Sequence, residues 1–385
     1  MSTDFANRAD STDRLEPNDS SLSKGFAESA KSAIQVEELS RRLEACRARL
    51  IPGLINAHDH LHLNNVPRLP HDAPFASSYA WIEAFAEHHA HPDVVAAVAV
   101  PKGARHWQGA LKNLLAGVTT VAHHDPWHDA LDDPAFPVDV PRDVGWCHSL
   151  GLGERARYGP RVRESFDATP VGRPWVIHLA EGTDAEARGE LARLETLGCL
   201  TERTVLVHGV GLSDADVSRV IARGASLVWC PASNLELLGR TLDAATVRRL
   251  FDAGRLALGS DSRLTGARDL LDELHVAASC SDLTDDELLR LVTVDAARIL
   301  RLDDREGDGV IVRDGALLSR IRRADVRAVV RRGVPVVADL DFADWFARCG
   351  VDIVRVRVDG RPKLAARQIV CAEAVSLEPG LEIES

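Results

Sequence analysis

Several short runs of apolar residues along the chain end in a histidine or an aspartate. The first run, residues 54–57, leads into His58 and His60, and later runs end at His178, His208 and Asp261. Apolar runs of this length followed by a loop predict buried strands. In a parallel α/β barrel the carboxyl ends of all strands open onto one face, where active sites lie. We therefore expect these polar side chains to meet at that face.

The pair His58 and His60 is the first indication of metal chemistry. Residues two apart on a strand point to the same side, and two neutral imidazoles at a strand end can hold one divalent metal. A lone His-x-His pair also occurs on surfaces. The polar residues at the other strand ends favour the metal site over that alternative.

The spacing of the remaining runs predicts an eight-stranded (β/α)8 barrel of the TIM type. Further strands are predicted at 118–122, 144–148, 175–178, 204–208, 226–230 and 256–259, with helices between them. The span from 51 to 300 is about the 250 residues of such a barrel. The barrel also requires a strand between 149 and 174, which the pattern does not locate.

The ends of the chain follow other patterns. Residues 1–33 are polar and predict a mobile tail, and apolar residues at helical spacing within 34–50 predict a helical lead-in. The barrel should occupy 51–302. Alternating residues and turn signals in 303–385 predict a small C-terminal β annex.

Composition limits the partners of the protein. The chain has 385 residues and a formal net charge of −12, which disfavours nucleic acid and anionic membranes as partners. Its seven cysteines form no C-x-x-C pair, and neither a signal-peptide pattern nor an apolar run of ~20 residues is present. We expect a cytoplasmic protein, and a homodimer or higher homo-oligomer is left open.

Five motifs together resemble a known superfamily. They are PGLINAHDHL at 52–61, HLAEG at 178–182, VHG at 207–209, CPASNLEL at 230–237 and GSD at 259–261. With them the sequence resembles the amidohydrolase superfamily, in particular the aminohydrolase and chlorohydrolase branch that includes cytosine, guanine and adenosylhomocysteine deaminases. The resemblance covers roughly residues 50 to 340. It implies the barrel with a small β-sandwich annex, which here looks reduced.

The resemblance implies one divalent metal, Zn²⁺ or Fe²⁺. Its ligands would be His58, His60, His178 and Asp261. Such a metal lowers the pKa of bound water from 15.7 towards ~7. Binuclear members use a carboxylated lysine at a barrel strand end, and none of Lys24, Lys31, Lys102, Lys112 and Lys363 ends a predicted barrel strand. A lysine-bridged pair of metals is therefore not expected.

Three residues are expected to act in catalysis. Glu181 follows His178 by three positions and matches the proton shuttle of the deaminase branch, with a solvated loop carboxylate as the alternative. His208 would orient the attacking hydroxide or polarise the scissile carbon. Asp261 could also accept the proton of the water.

Substrate contacts are predicted at the mouth of the barrel. His123, Trp127 and His148 lie at or just beyond predicted strand ends, although a histidine-rich loop could arise by chance. Asn234 would either contact the substrate or brace its own loop. The histidines at 88, 89 and 91 are interpreted as solvated, with metal binding a minor alternative.

The resemblance implies hydrolysis at an sp² carbon of a small nitrogen heterocycle. Deamination is the preferred reaction, because HLAEG and CPASN are most similar to aminohydrolases. The alternatives are ring opening of a cyclic amide, as in imidazolonepropionase-like relatives, and dehalogenation. A metal-free binding protein on the same fold is the alternative outside enzymes.

Overall fold

The computed structural model describes residues 43, 47–154, 158–303 and 305–384. The predicted tail, 1–33, and most of the predicted lead-in, 34–50, lie outside these residues. The chain from Arg49 onward forms one compact unit. Among the helices that are described, none has the length and apolar character needed to cross a membrane.

Strands and helices alternate up to about residue 300, and strands dominate afterwards. The strands are β1 Ala48–Pro52, β2 Leu54–Asp59, β3 Val118–His123, β4 Gly145–Ser149, β5 Trp175–Leu179, β6 Thr204–His208, β7 Ser226–Trp229, β8 Leu256–Leu258, β9 Gly309–Arg313, β10 Ala328–Arg331, β11 Val334–Asp339, β12 Ile353–Val358, β13 Arg361–Ala366 and β14 Leu381–Ile383. The helices are α1 Ser78–His88, α2 Pro92–Ala99, α3 Lys102–Leu115, α4 Leu150–Glu154, α5 Val162–Ala168, α6 Ala185–Thr196, α7 Asp214–Ala222, α8 Pro231–Leu238, α9 Ala244–Asp252, α10 Leu270–Cys280, α11 Asp285–Leu291, α12 Val294–Ile299, α13 Ala343–Arg348 and α14 Ala372–Leu377.

The strands β2 to β8 pair in parallel, and the predicted site residues lie on them or in the segments that follow them. They form a pair, β2-β3, and a five-stranded sheet in the order β4-β5-β6-β7-β8. A backbone hydrogen bond of 3.0 Å from Asp261 N to His58 O connects the region after β8 with β2. All residues of β5 and β6 are buried, as expected for strands covered on both faces.

The further strand expected between 149 and 174 is not found among the residues described there. Strand β4 pairs directly with β5, with Gly145 opposite Trp175, and the intervening chain forms α4 and α5. The parallel strands are interrupted earlier in the chain, between β3 and β4, which belong to different sheets. There Asp139 makes a single parallel bridge to Thr120 of β3.

The lead-in ends in a strand rather than a helix. Ala48–Pro52 is β1, so the expectation of a helix through residue 50 is wrong at its C-terminal end. Strand β1 is an edge strand of a seven-stranded sheet in the order β1-β9-β10-β11-β13-β12-β14. The C-terminal segment thus supplies six of its strands, and the described residues contain no second sheet that would complete a sandwich.

A buried network of polar side chains joins β2, α3 and the segment after β8. Asn56 Nδ2 donates to Ser260 Oγ and to Asn113 Oδ1, each at 2.8 Å. Lys112 Nζ donates to Asp59 Oδ2 at 3.1 Å and to the Asp261 carbonyl at 2.9 Å. Both side chains of the Lys112–Asp59 ion pair are 0% exposed. The network therefore fixes the spacing between the two strand ends that carry His58 and Asp261.

We predict that Lys112→Met lowers the free energy of unfolding by about 3–5 kcal/mol, because removing one partner leaves a buried charge uncompensated. Urea denaturation measures this. The matched control is Arg163→Met, which removes an ion pair to Asp167 whose side chains are 55% and 53% exposed and should change stability little. Equal stability of Lys112→Met and wild type would show that the buried Asp59 carboxylate does not need the charge of Lys112.

Candidate metal centre and active site

Three imidazole rings converge at the ends of β2 and β5. The Nε2 atom of His178 lies 3.1 Å from Nε2 of His58 and 3.3 Å from Nε2 of His60. Two tetrahedral ligands at 2.0–2.1 Å from zinc are about 3.3 Å apart. The separations of the three nitrogens therefore fit a divalent metal between them.

The outer nitrogens of two of these rings leave lone pairs facing inward. Nδ1 of His60 lies 2.6 Å from Asp125 Oδ2, and Nδ1 of His178 lies 2.8 Å from the carbonyl oxygen of His148. Both partners are acceptors, so each Nδ1 carries the proton and each Nε2 a lone pair. Carboxylate and carbonyl partners of this kind orient metal-binding histidines.

The charges around the rings favour a cation. Burial lowers the pKa of His58 and of His178 well below the ordinary value, so both rings are neutral. Burial also opposes protonation of His60, but the Asp125 carboxylate outweighs it and raises the pKa to about 9. A positive charge, proton or metal, is thus stabilised at these nitrogens.

Asp261 completes the group on the β8 side. Its Oδ1 atom lies 3.8 Å from Nε2 of His58 and 3.8 Å from Nε2 of His60. Its Oδ2 atom accepts hydrogen bonds from Ser233 Oγ at 2.8 Å and Thr265 Oγ1 at 2.9 Å. Burial alone would raise the pKa of Asp261, but neighbouring histidines and these hydrogen bonds hold it below the ordinary value. The carboxylate is therefore ionised and fixed in orientation.

Glu181 and His208 form a second pair of polar side chains beside the imidazoles. Glu181 Oε1 lies 3.5 Å from His208 Nε2, and His208 Nδ1 lies 2.8 Å from Asn234 Oδ1. The amide oxygen of Asn234 accepts the proton on His208 Nδ1, and Nε2 is the ring nitrogen that faces Glu181. Burial raises the pKa of Glu181 although His208 opposes the shift. Glu181 can therefore hold a proton more readily than an exposed glutamate.

The backbone is strained at three positions where strands meet the site. Ala180, His208 and Asp261 have φ angles of 53°, 75° and 53°, which non-glycine residues adopt at a cost of about 1–3 kcal/mol. Gly259 allows β8 to approach β2, since a Cβ atom there would lie 2.6 Å from His58 Cβ. This close approach accounts for the glycine of the GSD motif.

The predicted substrate contacts occupy different places. The His148 ring lies 4.7 Å from that of His178, next to the three imidazoles, while Asn234 contacts His208 rather than open space. Trp127 donates to Asp132 and lies under the Arg142 guanidinium. His123 lies in a separate group of histidines with His62 and His106. The role of Trp127 and His123 as substrate contacts thus stays a prediction, and the contacts observed here do not favour it.

The sequence interpretation missed the partners behind the imidazoles. His124 Nδ1 lies 3.4 Å from His58 Nδ1, Asp125 contacts His60, and Tyr158 donates to the other Asp125 oxygen. The signal was present, because His124 and Asp125 follow the apolar strand β3 as the ligands follow theirs. Periodicity alone did not show which neighbouring residue turns inward.

Comparison with known proteins supports the class assigned from the motifs. Residues 168–308 match the sequence model of the Amidohydrolase family, which confirms the resemblance stated above. The chain is 24% identical over 375 residues to a 5-methylthioadenosine/S-adenosylhomocysteine deaminase of Haloarcula marismortui, covering 85% of this chain and 84% of that protein. A guanine deaminase of Dictyostelium discoideum is 30% identical over 127 residues, covering 30% of this chain and 28% of that protein.

Two solved structures share the fold. A zinc-bound adenosine deaminase of Xanthomonas campestris has a TM-score of 0.58 and 22% identity, covering 79% of this chain and 85% of that one. A zinc complex of atrazine chlorohydrolase from Arthrobacter aurescens has a TM-score of 0.57 and 20% identity, covering 78% and 88%. The likeness places the parallel strands and helices of this chain in the fold of those hydrolases.

We predict that His60→Ala or Asp261→Ala binds one equivalent less of divalent metal than wild type, because each removes a proposed ligand from a four-donor set. Elemental analysis of purified protein measures the metal content. His89→Ala, at an exposed histidine, is the control and should keep the wild-type content. Unchanged metal in both ligand variants would refute the assignment.

Proposed function

We propose that the protein is a metal-dependent hydrolase that deaminates a small nitrogen heterocycle. The observation that carries the proposal is the convergence of His58, His60, His178 and Asp261 beside the Glu181–His208 pair. The deaminases among its relatives support the choice of reaction.

We propose zinc as the metal and a (β/α)8 barrel as the complete form of the parallel strands. Three imidazoles and one carboxylate suit Zn²⁺, the metal named in both similar structures. Bound there, it would supply the Lewis acidity that makes water a nucleophile at neutral pH. A hydrogen bond between His124 Nε2 and the Cys147 carbonyl, at 2.9 Å, links β3 with β4 where the barrel would close.

Glu181 is the residue proposed to move the proton. Its burial favours the protonated acid, which can give its proton to a ring nitrogen as water adds to the carbon. The resulting carboxylate can then take a proton from the added hydroxyl group and pass it to the departing amino group as the C–N bond breaks. Its loop is held by the start of α1 and the residues before it: Ser78 N donates to the Glu181 carbonyl at 2.9 Å, and Thr183 N donates to the Ala76 carbonyl at 2.7 Å. The carboxyl group is therefore positioned by two packed segments.

His208 and Asp261 are proposed to act on the attacking water. Asn234 fixes the His208 ring so that Nε2 faces the site. Hydrogen bonds from Ser233 and Thr265 fix one oxygen of Asp261 and leave the other towards the histidines. These two side chains can thus orient water without moving, which lowers the cost of reaching the transition state.

Dehalogenation remains a second candidate, because the fold is shared with atrazine chlorohydrolase. A substrate panel separates the reactions by their products. Purines, adenosine derivatives, pyrimidines, pterins, aminotriazines, chlorotriazines and cyclic amides would be assayed for released ammonia, for released chloride and for ring opening. Ammonia release supports the proposal, whereas chloride release or ring opening alone refutes deamination.

We predict that Glu181→Gln lowers turnover by about 10²–10⁴-fold, because the amide keeps size and hydrogen bonding but cannot transfer the proton. Metal content and melting temperature should stay near wild type, since Glu181 is not proposed as a ligand. Turnover and metal content would be measured on the same preparation. Glu186→Gln, at an exposed position of α6, is the matched control and should retain activity.

Two results would contradict this assignment. Loss of metal in Glu181→Gln would make Glu181 a ligand rather than a proton donor. Full activity with normal metal content would mean that the proton moves through Asp261 or His208 instead.

A further inference from the structure

A second group of histidines, two of them buried and one half-buried, lies beside the proposed active site. His62 is in a 3₁₀ turn, Leu61–Leu63, directly after β2, His106 is in α3, and His123 ends β3. One possible ligand atom from each residue lies within 4.8 Å of the other two. None of these residues belongs to the ligand set proposed above.

Each ring has a nitrogen that is buried and unsatisfied. Nδ1 of His62, Nε2 of His106 and Nε2 of His123 make no hydrogen bond to any described residue. Buried polar atoms in native proteins almost always have a partner, so an isolated exception calls for an explanation. Three such exceptions in one group indicate a common occupant.

The ring chemistry suits a metal as that occupant. His106 Nδ1 lies 2.7 Å from the Lys102 carbonyl, which places the proton on Nδ1 and a lone pair on Nε2, as in histidines that bind metal. Burial lowers the pKa of His106 to about 4 and of His123 to about 3. These two rings are therefore neutral at pH 7, the form that binds metal.

A carboxylate faces this group as well. Asp125 Oδ2, which is 2.6 Å from His60 Nδ1, lies 3.6 Å from His62 Nδ1. Its negative charge can therefore stabilise a cation on the His62 side as well as on the His60 side.

We propose that His62, His106 and His123 bind a second divalent metal of the class that prefers imidazole, such as Zn²⁺, Ni²⁺ or Cu²⁺. Tetrahedral ligands of zinc are about 3.3 Å apart, and the three ligand atoms lie within 4.8 Å of one another, so they approach one another by at most about 1.5 Å on binding. His123 accepts the Leu61 amide at Nδ1, at 3.3 Å; binding of a metal at Nε2 moves the ring proton to Nδ1, so this hydrogen bond is given up and the ring stays neutral. The site ties the turn after β2 to α3 and β3, and it is independent of the proposed reaction.

The test counts metal in the whole protein. Wild-type protein stripped with a chelator is titrated with Zn²⁺ in competition with a chromophoric chelator, and we expect two tight equivalents. His106→Asn should weaken the second equivalent by at least about 100-fold, because even outer-shell changes cost 10–100-fold in affinity. Retention of the first equivalent shows that the variant is folded, and His123→Asn serves as a second variant with the same expectation.

Two further variants show which site each equivalent of metal occupies. His91→Asn removes an exposed histidine that stacks on His88 and should leave two equivalents. His178→Asn removes a ligand of the first site and should leave one equivalent, which gives a tetrahedral visible spectrum when Co²⁺ replaces Zn²⁺.

Three outcomes would overturn the proposal. One equivalent in wild type would mean that water satisfies these nitrogens, as it does in other polar cavities. A second equivalent that is lost in His91→Asn would be a surface site. No metal in the His178→Asn background would show that the second group binds none.

Discussion

The buried Lys112–Asp59 pair and its amide neighbours form the constraint on which the active site depends. The ligands proposed for one metal come from the ends of β2, β5 and β8, which lie far apart in sequence, and their nitrogen and oxygen atoms must keep the separations of a metal site. Asn56 and Lys112 both bond to Ser260, and Lys112 reaches Asp59 on β2 and the Asp261 carbonyl after β8. Charged groups buried this deeply define one arrangement, because any other leaves them unpaired.

Electrostatics then determines what those strand ends can hold. Asp125 and Asp261 approach the imidazoles from β3 and from β8, and both carboxyl groups have pKa values below the ordinary range although burial opposes ionisation. Two buried negative charges need a compensating positive charge nearby. Burial lowers the pKa of His58 and of His178; it also opposes protonation of His60, where the Asp125 carboxylate outweighs it and raises the pKa. The site is built for positive charge at the Nε2 atoms.

The sequence predicted the features that depend on local pattern. The apolar runs ending at His58, His178 and His208 became β2, β5 and β6 with boundaries within a residue or two, because strands buried on both faces need continuous apolar residues. The strand expected between 149 and 174 was wrong. The number of strands that a barrel needs does not show which strands are neighbours, and here β4 pairs directly with β5. The partners of His60 were missed for a similar reason. Whether His123, His124 or Asp125 turns inward depends on the irregular end of β3, where regular pairing with β2 breaks off.

The division of roles between strands and loops follows from stiffness. The four proposed ligands lie on strands or directly after them, in backbone fixed by hydrogen bonds across the sheet. Glu181 lies beyond the end of β5, on a loop whose conformation depends on hydrogen bonds with Ala76 and Ser78. A ligand must hold one position, whereas a proton donor must follow two atoms of the substrate in turn. A rigid donor set with a braced loop beside it meets both needs. Changes in the segments that brace the loop can therefore alter substrate choice without disturbing the donor set.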